Sequence, residues 1–221
     1  MENRQREWNP EKQPERNPER YPERNAEQRP DRRPDRQHEQ KYARIERERR
    51  FLMAGPPASA PVTATRLIRD RYLEGTRLRL RRVDRPDADG PEFKLTQKIP
   101  SDRPGAVQGL ITNTYLSQSE YDLLASLPAA VLSKTRLSLP PLGVDVFDGP
   151  LAGLVLAEAE FGNDQEALAF AFPPACVAEV TADVRFTGGR LVRATRWELR
   201  AWLDEYGIRL SPEADGDALG H

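Results

Sequence analysis

From residue 45 onward, hydrophobic and polar residues alternate with a period of two along several segments. In "RIERERRFL", Glu46, Glu48 and Arg50 share one face and Ile45 and Phe51 lie on the other, because successive side chains of a strand point to opposite faces. The alternation predicts a strand that carries two acids and one base on a single face.

Other segments show the same alternation, with cations on one face and apolar residues on the other. We predict strands for "TRLRLRRV", "FKLTQKI" and "AVLSKTRLSL". The cations that share a face are Arg77, Arg79 and Arg81 in the first segment, Lys94 and Lys98 in the second, and Lys134 and Arg136 in the third.

The rest of the body contains further predicted strands. They are "VQGLITNTYL", "GVDVFDG", "AEVTADVRF" and "LAGLVLAEAEF", and the last of these places Glu158 and Glu160 on a common face. We predict that "TATRLIRDRYL" begins as a short helix or turn and continues as a strand over residues 67–73. Turns are predicted at Gly75, at Asp148-Gly149-Pro150 and at Gly188-Gly189.

Two capping-box spacings predict helices. Ser117 stands three residues before Glu120, and Thr195 stands three residues before Glu198; in this motif each side chain accepts from the backbone N–H of the other residue. The second helix is expected to end at Gly207, and "DQEALAFAF" predicts a shorter one. The side chains of the second helix that we expect to dock on the sheet are Trp197, Leu199, Trp202 and Leu203.

The predicted elements amount to roughly eight strands with two or three helices. They lack the regular alternation of strand and helix that accompanies a parallel sheet. We therefore predict an α+β fold built on a mainly antiparallel sheet or barrel.

The first 41 residues differ from the body in composition. "NPEKQPERNPERYPERNAEQRPDRRPDR" repeats Pro, an acid and Arg at a spacing of about four residues, with almost no aliphatic residue to bury. We predict a disordered leader over residues 1–41, a folded body over 42–210 and a flexible tail over 211–221. The leader is either a tether or a contact for an anionic partner, or else a solvated polyampholyte without a partner.

The charge and hydropathy of the chain argue against two classes of partner. The formal net charge is −1 and the pI is near 6.2, whereas domains that bind nucleic acid by bulk charge carry a clear basic excess. No run of about 18 apolar residues and no hydrophobic N-terminal signal occurs. We therefore expect no nucleic-acid partner, no membrane segment and a cytoplasmic location.

Histidine and cysteine are too scarce for several kinds of site. His38 and His221 lie in the predicted leader and tail, and Cys176 is the sole cysteine, which we expect to serve packing. A disulfide within the chain, a Cys/His zinc site and a serine triad with a histidine base therefore lack their residues. The remaining carboxylates, lysines and arginines suit a hard cation such as Mg²⁺ or Mn²⁺ and a phosphate-rich ligand.

If the sheet closes into a barrel, the charged strand faces can line one shared interior, because one face of every strand points into a barrel. Many ions in a dry interior would be costly. In a hydrated interior, Arg and Lys would contact the oxygens of a polyanion, and carboxylates would bind a bridging divalent cation. The alternative is that these faces are the solvent-exposed side of a half-buried sheet.

Taken together, these motifs resemble the CYTH domain of the triphosphate tunnel metalloenzyme superfamily. "IERERRFL" is similar to the Glu-x-Glu-x-Lys signature of that family, with Glu46, Glu48 and Arg50 at the motif positions. The resemblance continues in order through "RLIRDRYL", "TRLRLRR", "FKLTQK", "SKTRL", "VDVFDGPLAGLVLAEAEF" and "EVTADVRF", and it covers about residues 42–192.

The resemblance implies an eight-stranded antiparallel β-barrel that binds triphosphate together with Mg²⁺ or Mn²⁺. The metal ligands that it implies are Glu46, Glu48, Asp145, Glu158 and Glu160. The substrate-binding residues that it implies are Arg50, Arg77, Arg79, Lys94, Lys98, Lys134, Arg136 and Arg185, and the catalytic residues are Glu48, Arg50 and Lys134.

The chain departs from the family pattern in two places. Arg50 stands where the signature has Lys, which keeps the charge but replaces a compact titratable ammonium by a permanently charged planar fork. Thr112, Asn113 and Thr114 stand where many members have an Arg and carboxylates. Both departures bear on turnover more than on binding.

We therefore expect a metal-dependent hydrolase of inorganic triphosphate or of a small organic triphosphate, acting as a monomer or homodimer. One alternative is a phosphate or polyphosphate binding module that does not catalyse a reaction. The other is a cyclase of the class IV type that acts on ATP and forms cyclic AMP.

Overall fold

The computed structural model describes residues 42–58, 61–102 and 105–210. The strands of this part of the chain are β1 (Arg44–Leu52), β2 (Ala64–Leu73), β3 (Leu78–Asp84), β4 (Glu92–Pro100), β5 (Val107–Leu116), β6 (Ala129–Leu139), β7 (Leu142–Phe147), β8 (Val155–Glu160) and β9 (Ala178–Glu179). Its helices are α1 (Gln118–Ala125), α2 (Asp164–Ala169), α3 (Gly188–Leu191) and α4 (Arg196–Asp204), with single 3-10 turns at Gly149–Leu151 and Val184–Phe186. The predicted leader and tail lie outside the described residues.

Eight of the strands close into an antiparallel barrel. The hydrogen-bonded order is β5-β4-β3-β2-β6-β7-β8-β1, and β5 pairs with β1 to complete the ring. β9 adds a short antiparallel pairing at the end of β1. The predicted α+β fold with an eight-stranded antiparallel barrel is therefore confirmed.

A bulge in β5 shapes the seam where the barrel closes. Glu46 pairs with Gly109 and Arg47 with Val107, so one residue of β5 is extra at this point. Gly109 has φ 137, and a Cβ there would lie 2.0 Å from the carbonyl oxygen of Ile99. The seam therefore requires glycine, both for its backbone conformation and for the close approach of β4.

The end of β1 meets an apolar part of the barrel interior, which the C-terminal segment covers. Leu52, Leu132 and Leu156 point inward from β1, β6 and β8, and they pack in one buried cluster with Leu199 and Trp202 of α4. Burying a large apolar side chain is worth about 1.5–3 kcal/mol. The C-terminal helices are therefore an integral part of the barrel core.

Two smaller clusters cover parts of the outer face. Phe51, Val144 and Ala157 pack beside Phe170, which follows α2. Under α1, the outward side chains of β3 and β4 pack against Tyr121.

Ser117 and Thr195 make the predicted capping boxes at the starts of α1 and α4. Within the described ranges, no helix has both the length and the apolar character needed to cross a bilayer.

The structure corrects the prediction for β2. We expected a short helix or turn before residue 67, but the strand begins at Ala64. Every residue from Ala64 to Leu73 has a partner in β6, from Ser138 to Ala129. Ladder pairing over the whole length outweighs the local preference that suggested a turn.

The predictions were also wrong for the segment after β9. "AEVTADVRF" pairs with β1 only at Ala178–Glu179. Asp183 then accepts a hydrogen bond from the backbone N–H of Arg185 and caps a 3-10 turn, since a short Asp side chain competes with ladder pairing. Gly188 does not form the predicted turn but starts α3.

Trp197 was wrongly predicted to dock on the sheet. Its side chain is 77% exposed, whereas Leu199, Trp202 and Leu203 are buried. α4 begins directly after the cap at Thr195, and at about 100° per residue Trp197 lies on the side opposite to Leu199.

Candidate functional site

Most of the predicted site residues lie on the inward face of the barrel. Strand register places Glu48 beside Glu160, Arg50 beside Glu158 and Arg136 beside Asp145. On the other side of the barrel it places Arg79 beside Thr96, and ion pairs link further members of the set. The predicted residues that share this face are Glu46, Glu48, Arg50, Arg79, Lys94, Lys98, Lys134, Arg136, Asp145, Glu158 and Glu160.

The glutamates of β1 and β8, which are Glu46, Glu48, Glu158 and Glu160, form what we call the acidic wall. Glu48 is only 6% exposed. Burial, the charge of Glu158 and the charge of Glu46 raise the pKa of Glu48 to about 8, against the opposing effects of Lys98 and Arg50. Burial is the largest of these effects, and the charges of the neighbouring glutamates add to it.

Glu158 differs from its neighbour because a guanidinium contacts it directly. Burial alone would raise the pKa of Glu158, but Arg136, Lys134 and Lys98 outweigh that effect and hold the pKa well below its usual range. The Nη2 atom of Arg136 donates to the Oε2 atom of Glu158. Glu158 is thus the more acidic of these two neighbouring glutamates.

Asp145 links two predicted substrate-binding cations. Arg136 donates from Nε and Nη2 to the two carboxylate oxygens of Asp145, both at 2.6 Å, and the ammonium of Lys134 donates to its Oδ2 atom. Asp145 is fully buried. Its carboxylate therefore positions Arg136 and Lys134, and both of its oxygens are already engaged.

Asp70 and Arg81 form a second buried pair that the site prediction missed. Arg81 donates from Nε and Nη2 to Asp70 at 2.6 and 2.7 Å, and the Nε atom of Arg79 lies 3.7 Å from the same carboxylate. Burial alone would raise the pKa of Asp70, but Arg81 and Arg79 hold it well below the usual range. Asp70 lies within the strand predicted over residues 67–73, but it stands alone there as an acid, and only the register with β3 shows that Arg81 is its partner.

Lys94 is a half-buried cation beside this pair. It is the register partner of Arg81, and its ammonium lies 6.0 Å from the ring centroid of Tyr115. Burial and the charges of Arg81 and Arg79 lower the pKa of Lys94. An anion placed between these cations would relieve their repulsion.

Two inward-facing guanidinium groups hold a buried donor without a partner. Among the residues that the structure describes, the Nε atoms of Arg50 and Arg79 are buried and have no hydrogen-bond partner. A buried N–H without an acceptor costs about 1–3 kcal/mol. An anion with several oxygens, such as a phosphate chain, would supply the missing acceptors.

Three predicted positions lie at the margin of the interior or outside it. Arg77 is exposed in the bend before β3, and Glu160 is exposed at the end of β8. Arg185 donates to Asp183 and to Glu205 in the C-terminal segment, at distances of 2.8–3.1 Å. The guanidinium of Arg185 is therefore bound to acids of the C-terminal segment and not to the residues of the barrel interior.

The neutral stretch of β5 contributes one polar group to the interior. Asn113 is the register partner of Thr96, and the hydroxyl of Thr96 donates to the Oδ1 atom of Asn113 at 2.8 Å. Thr112 and Thr114 alternate with Asn113 and therefore point outward. This wall of the interior is uncharged.

The donor types of the acidic wall fit a hard divalent cation, although the side chains are not arranged as a finished site. Within residues 42–58, 61–102 and 105–210, no three acidic, histidine or cysteine side chains are grouped so that they could hold a metal ion. Lys98 donates to both carboxylate oxygens of Glu46 at 2.8 Å. The carboxylate oxygens of the wall are of the type that Mg²⁺ and Mn²⁺ prefer, whereas Asp145 is committed to Arg136 and Lys134.

Comparison with known proteins gives similarity at the level of solved structures. No protein-family model matches the chain, and no curated protein matches it. A solved inorganic triphosphatase is among the similar structures. That triphosphatase, NE1496, is 26% identical in sequence to the present chain. The match covers 68% of the present chain and 96% of NE1496, with a TM-score of 0.46.

A second similar structure is the PH1819 protein of Pyrococcus horikoshii OT3. It is 14% identical, the match covers 74% of this chain and 91% of that chain, and the TM-score is 0.42.

Proposed function

We propose that the barrel interior binds a triphosphate and that the protein hydrolyses it with the help of Mg²⁺ or Mn²⁺. The observation that carries the proposal is the pair of buried Nε donors on Arg50 and Arg79 without acceptors. They lie on the same inward face as Lys94, Lys98 and Lys134. An inorganic triphosphate or the triphosphate chain of a small organic ester matches this set in charge and in number of acceptors.

Binding requires an exchange of partners for some of these cations. Arg136 is paired with Asp145 and Glu158, and Lys98 is paired with Glu46. Phosphate oxygens take the place of Glu158 and Glu46 at these cations, while Asp145 keeps Arg136 in position. Arg50 and Arg79 need no such exchange at Nε, and they are the first contacts that we expect for the ligand.

The acidic wall holds the metal ion in this proposal. The ligands are drawn from Glu46, Glu48, Glu158 and Glu160, whose oxygens suit Mg²⁺ or Mn²⁺. An ion held there would supply charge neutralisation and Lewis-acid polarisation of the phosphate chain. Asp145 contributes indirectly, because it orients Lys134 and Arg136.

The reaction that follows is hydrolysis of the terminal phosphoanhydride. A water oxygen forms a bond to the terminal phosphorus, the bond from that phosphorus to the bridging oxygen breaks, and the proton of the water passes to a carboxylate of the acidic wall. Arg50, Arg79 and Lys134 hold the phosphate chain and stabilise the charge that develops on it. Inorganic triphosphate would give orthophosphate and pyrophosphate.

Phosphate release from tripolyphosphate tests the proposal. We expect release that depends on Mg²⁺ or Mn²⁺, stops in excess EDTA, and falls by about a hundredfold or more in Glu48→Gln, which is nearly isosteric but replaces one of the carboxylate oxygens that would bind the metal. Tripolyphosphate, ATP, GTP and thiamine triphosphate, each tested with each metal, would identify the preferred substrate. Full activity of Glu48→Gln would contradict the role of the acidic wall.

One feature of the site favours a second function, a triphosphate-binding module without turnover. The guanidinium of Arg50 is fixed to the backbone of Thr181, with Nη2 2.9 Å from the carbonyl oxygen. A permanently charged, immobilised group holds an anion but does not accept a proton. Tight binding of tripolyphosphate without any product after long incubation with either metal would support this function and exclude hydrolysis.

A further inference from the structure

Thr181, which follows β9, contacts Arg50 at both its backbone and its side chain. The backbone N–H of Arg50 donates to the hydroxyl of Thr181 at 3.0 Å, and the Nη2 atom of Arg50 donates to the carbonyl oxygen of Thr181 at 2.9 Å. The backbone of Val180 donates to the carbonyl oxygen of Arg50 at 2.8 Å. The segment Val180-Thr181 therefore binds both the main chain of Arg50 and the end of its side chain.

The hydroxyl of Thr181 is itself oriented by an acid on the outer face of the barrel. It donates to the Oε1 atom of Glu179 at 2.6 Å. A hydroxyl has one hydrogen, so once the carboxylate accepts it, only lone pairs remain to face the N–H of Arg50. Glu179 therefore holds the Thr181 hydroxyl in an orientation that accepts from Arg50.

Glu179 is in turn held by Arg49. The Nε and Nη2 atoms of Arg49 donate to its two carboxylate oxygens at 2.9 and 2.6 Å. Arg49 and Arg50 are neighbours on β1 and point to opposite faces. The chain of contacts from Arg49 through Glu179 and Thr181 to Arg50 thus crosses the barrel wall.

These contacts leave the rest of the Arg50 guanidinium directed at the candidate site. With Nη2 bound to Thr181, the Nη1 atom lies 3.6 Å from the carboxylate of Glu48. The Nε atom is buried and has no hydrogen-bond partner among the described residues. An arginine loses about 2 kcal/mol of rotamer entropy when its side chain is fixed, and here that cost is met before any ligand arrives.

We propose that Thr181 is a positioning residue, which Glu179 orients and which sets the guanidinium of Arg50 to receive a phosphate group. The inference rests on the proposed function, because it requires the interior to bind a phosphate chain. The affinity of the interior for a phosphate chain then depends on a residue outside the eight barrel strands. Thr181 acts through Arg50 and does not itself contact the ligand.

Binding of tripolyphosphate measured by calorimetry in EDTA tests the inference without requiring turnover or metal. We expect Thr181→Val to weaken binding by about tenfold, since it keeps the shape of the side chain and loses the hydroxyl. Thr181→Ser, which restores the hydroxyl, is expected to bind within about twofold of the wild type. Thr135→Val, on the outward face of β6, is the matched control and is expected to leave the affinity unchanged.

A double-mutant cycle separates positioning from general damage to the fold. In the Arg50→Met background, the further change Thr181→Val should have no effect on tripolyphosphate affinity, because the group that it positions is absent. Glu179→Gln should weaken binding in the wild-type background and not in Arg50→Met. It provides the test if Thr181→Val fails to fold.

Nuclear magnetic resonance of the ligand-free protein gives an independent measurement. The Nε–H signal of Arg50, assigned by its loss in Arg50→Met, should be sharp in the wild type and in Thr181→Ser, and broadened in Thr181→Val. Equal affinity of wild type and Thr181→Val, or an equal loss in the Arg50→Met background, would overturn the inference alone. Failure of the wild type to bind tripolyphosphate would overturn the proposed function and the inference with it.

Discussion

Arg81 donates two hydrogen bonds to Asp70, at 2.6 and 2.7 Å, between paired positions of β2 and β3. Both side chains are buried, and Asp70 is 1% exposed. Removing one partner of a buried pair leaves a charge without compensation, which costs about 3–5 kcal/mol. We therefore expect Asp70→Asn to lower the free energy of unfolding by an amount of that order, as measured by urea denaturation.

The matched control for Asp70→Asn is Asp84→Asn. Asp84 also accepts from an arginine of β3, Arg82, at 2.8–3.1 Å, but the two side chains are 39% and 43% exposed. Exposed pairs contribute only about 0–1 kcal/mol. Similar destabilisation by the two variants would show that burial does not govern the strength of the Asp70 pair.

The same pair predicts how stability depends on pH. Arg81 and Arg79 outweigh burial and hold the pKa of Asp70 below the value of about 3.9 that Asp has in an unfolded chain. A depressed folded-state pKa adds stability above the unfolded value, and that stability is lost as pH falls through the range between the two. The stability difference between wild type and Asp70→Asn, from urea titrations, should be constant near pH 6–7 and shrink below about pH 4.

Gly188 leaves no room for a side chain. A Cβ atom there would lie 2.0 Å from the hydroxyl oxygen of Tyr72, whereas the same atom on Gly189 would have nothing within 4 Å. Overpacking of this kind typically costs about 1–3 kcal/mol. We expect Gly188→Ala to lower the melting temperature and Gly189→Ala to have little effect.

The variant Tyr72→Phe separates crowding from a loss of backbone freedom at Gly188. It removes the hydroxyl oxygen, and the next atom of Tyr72 lies 3.2 Å from the added Cβ. The double variant should therefore recover most of the stability that Gly188→Ala loses. If the double variant is no more stable than Gly188→Ala, the clash with Tyr72 is not the cause.

The barrel and its charged interior follow from short-range patterns in the sequence. The period of two in β1, β3, β4 and β6 fixed which side chains share a face, and closure of the sheet then brought Glu48, Arg50 and Lys134 onto one inner surface. A period of two is detectable over only a few residues, so one sequence is enough to predict which side chains of a strand share a face.

What the sequence pattern could not supply depends on contacts between distant residues. Thr181 and Arg50 are 131 positions apart, and no local pattern links them. The pairing of Asp70 with Arg81 required knowledge of the register between β2 and β3, which the alternation within each strand does not give. Trp197 was misplaced because the face that α4 buries is set by the surface on which it packs.

Lys98 is a cation of the barrel interior, whereas Arg82 is a cation of the outer face. Lys98 donates to Glu46 on the inward side of the barrel, and Arg82 donates to Asp84 on the outward side of β3. If the interior holds the triphosphate, Lys98→Met removes a charge-assisted contact worth about 1.5–3 kcal/mol. We expect it to raise the KM for tripolyphosphate by about tenfold to a hundredfold. Arg82→Met changes the net charge of the protein by the same amount and should leave KM within about twofold of the wild type. Equal increases in KM would mean that overall charge, and not the barrel interior, attracts the ligand.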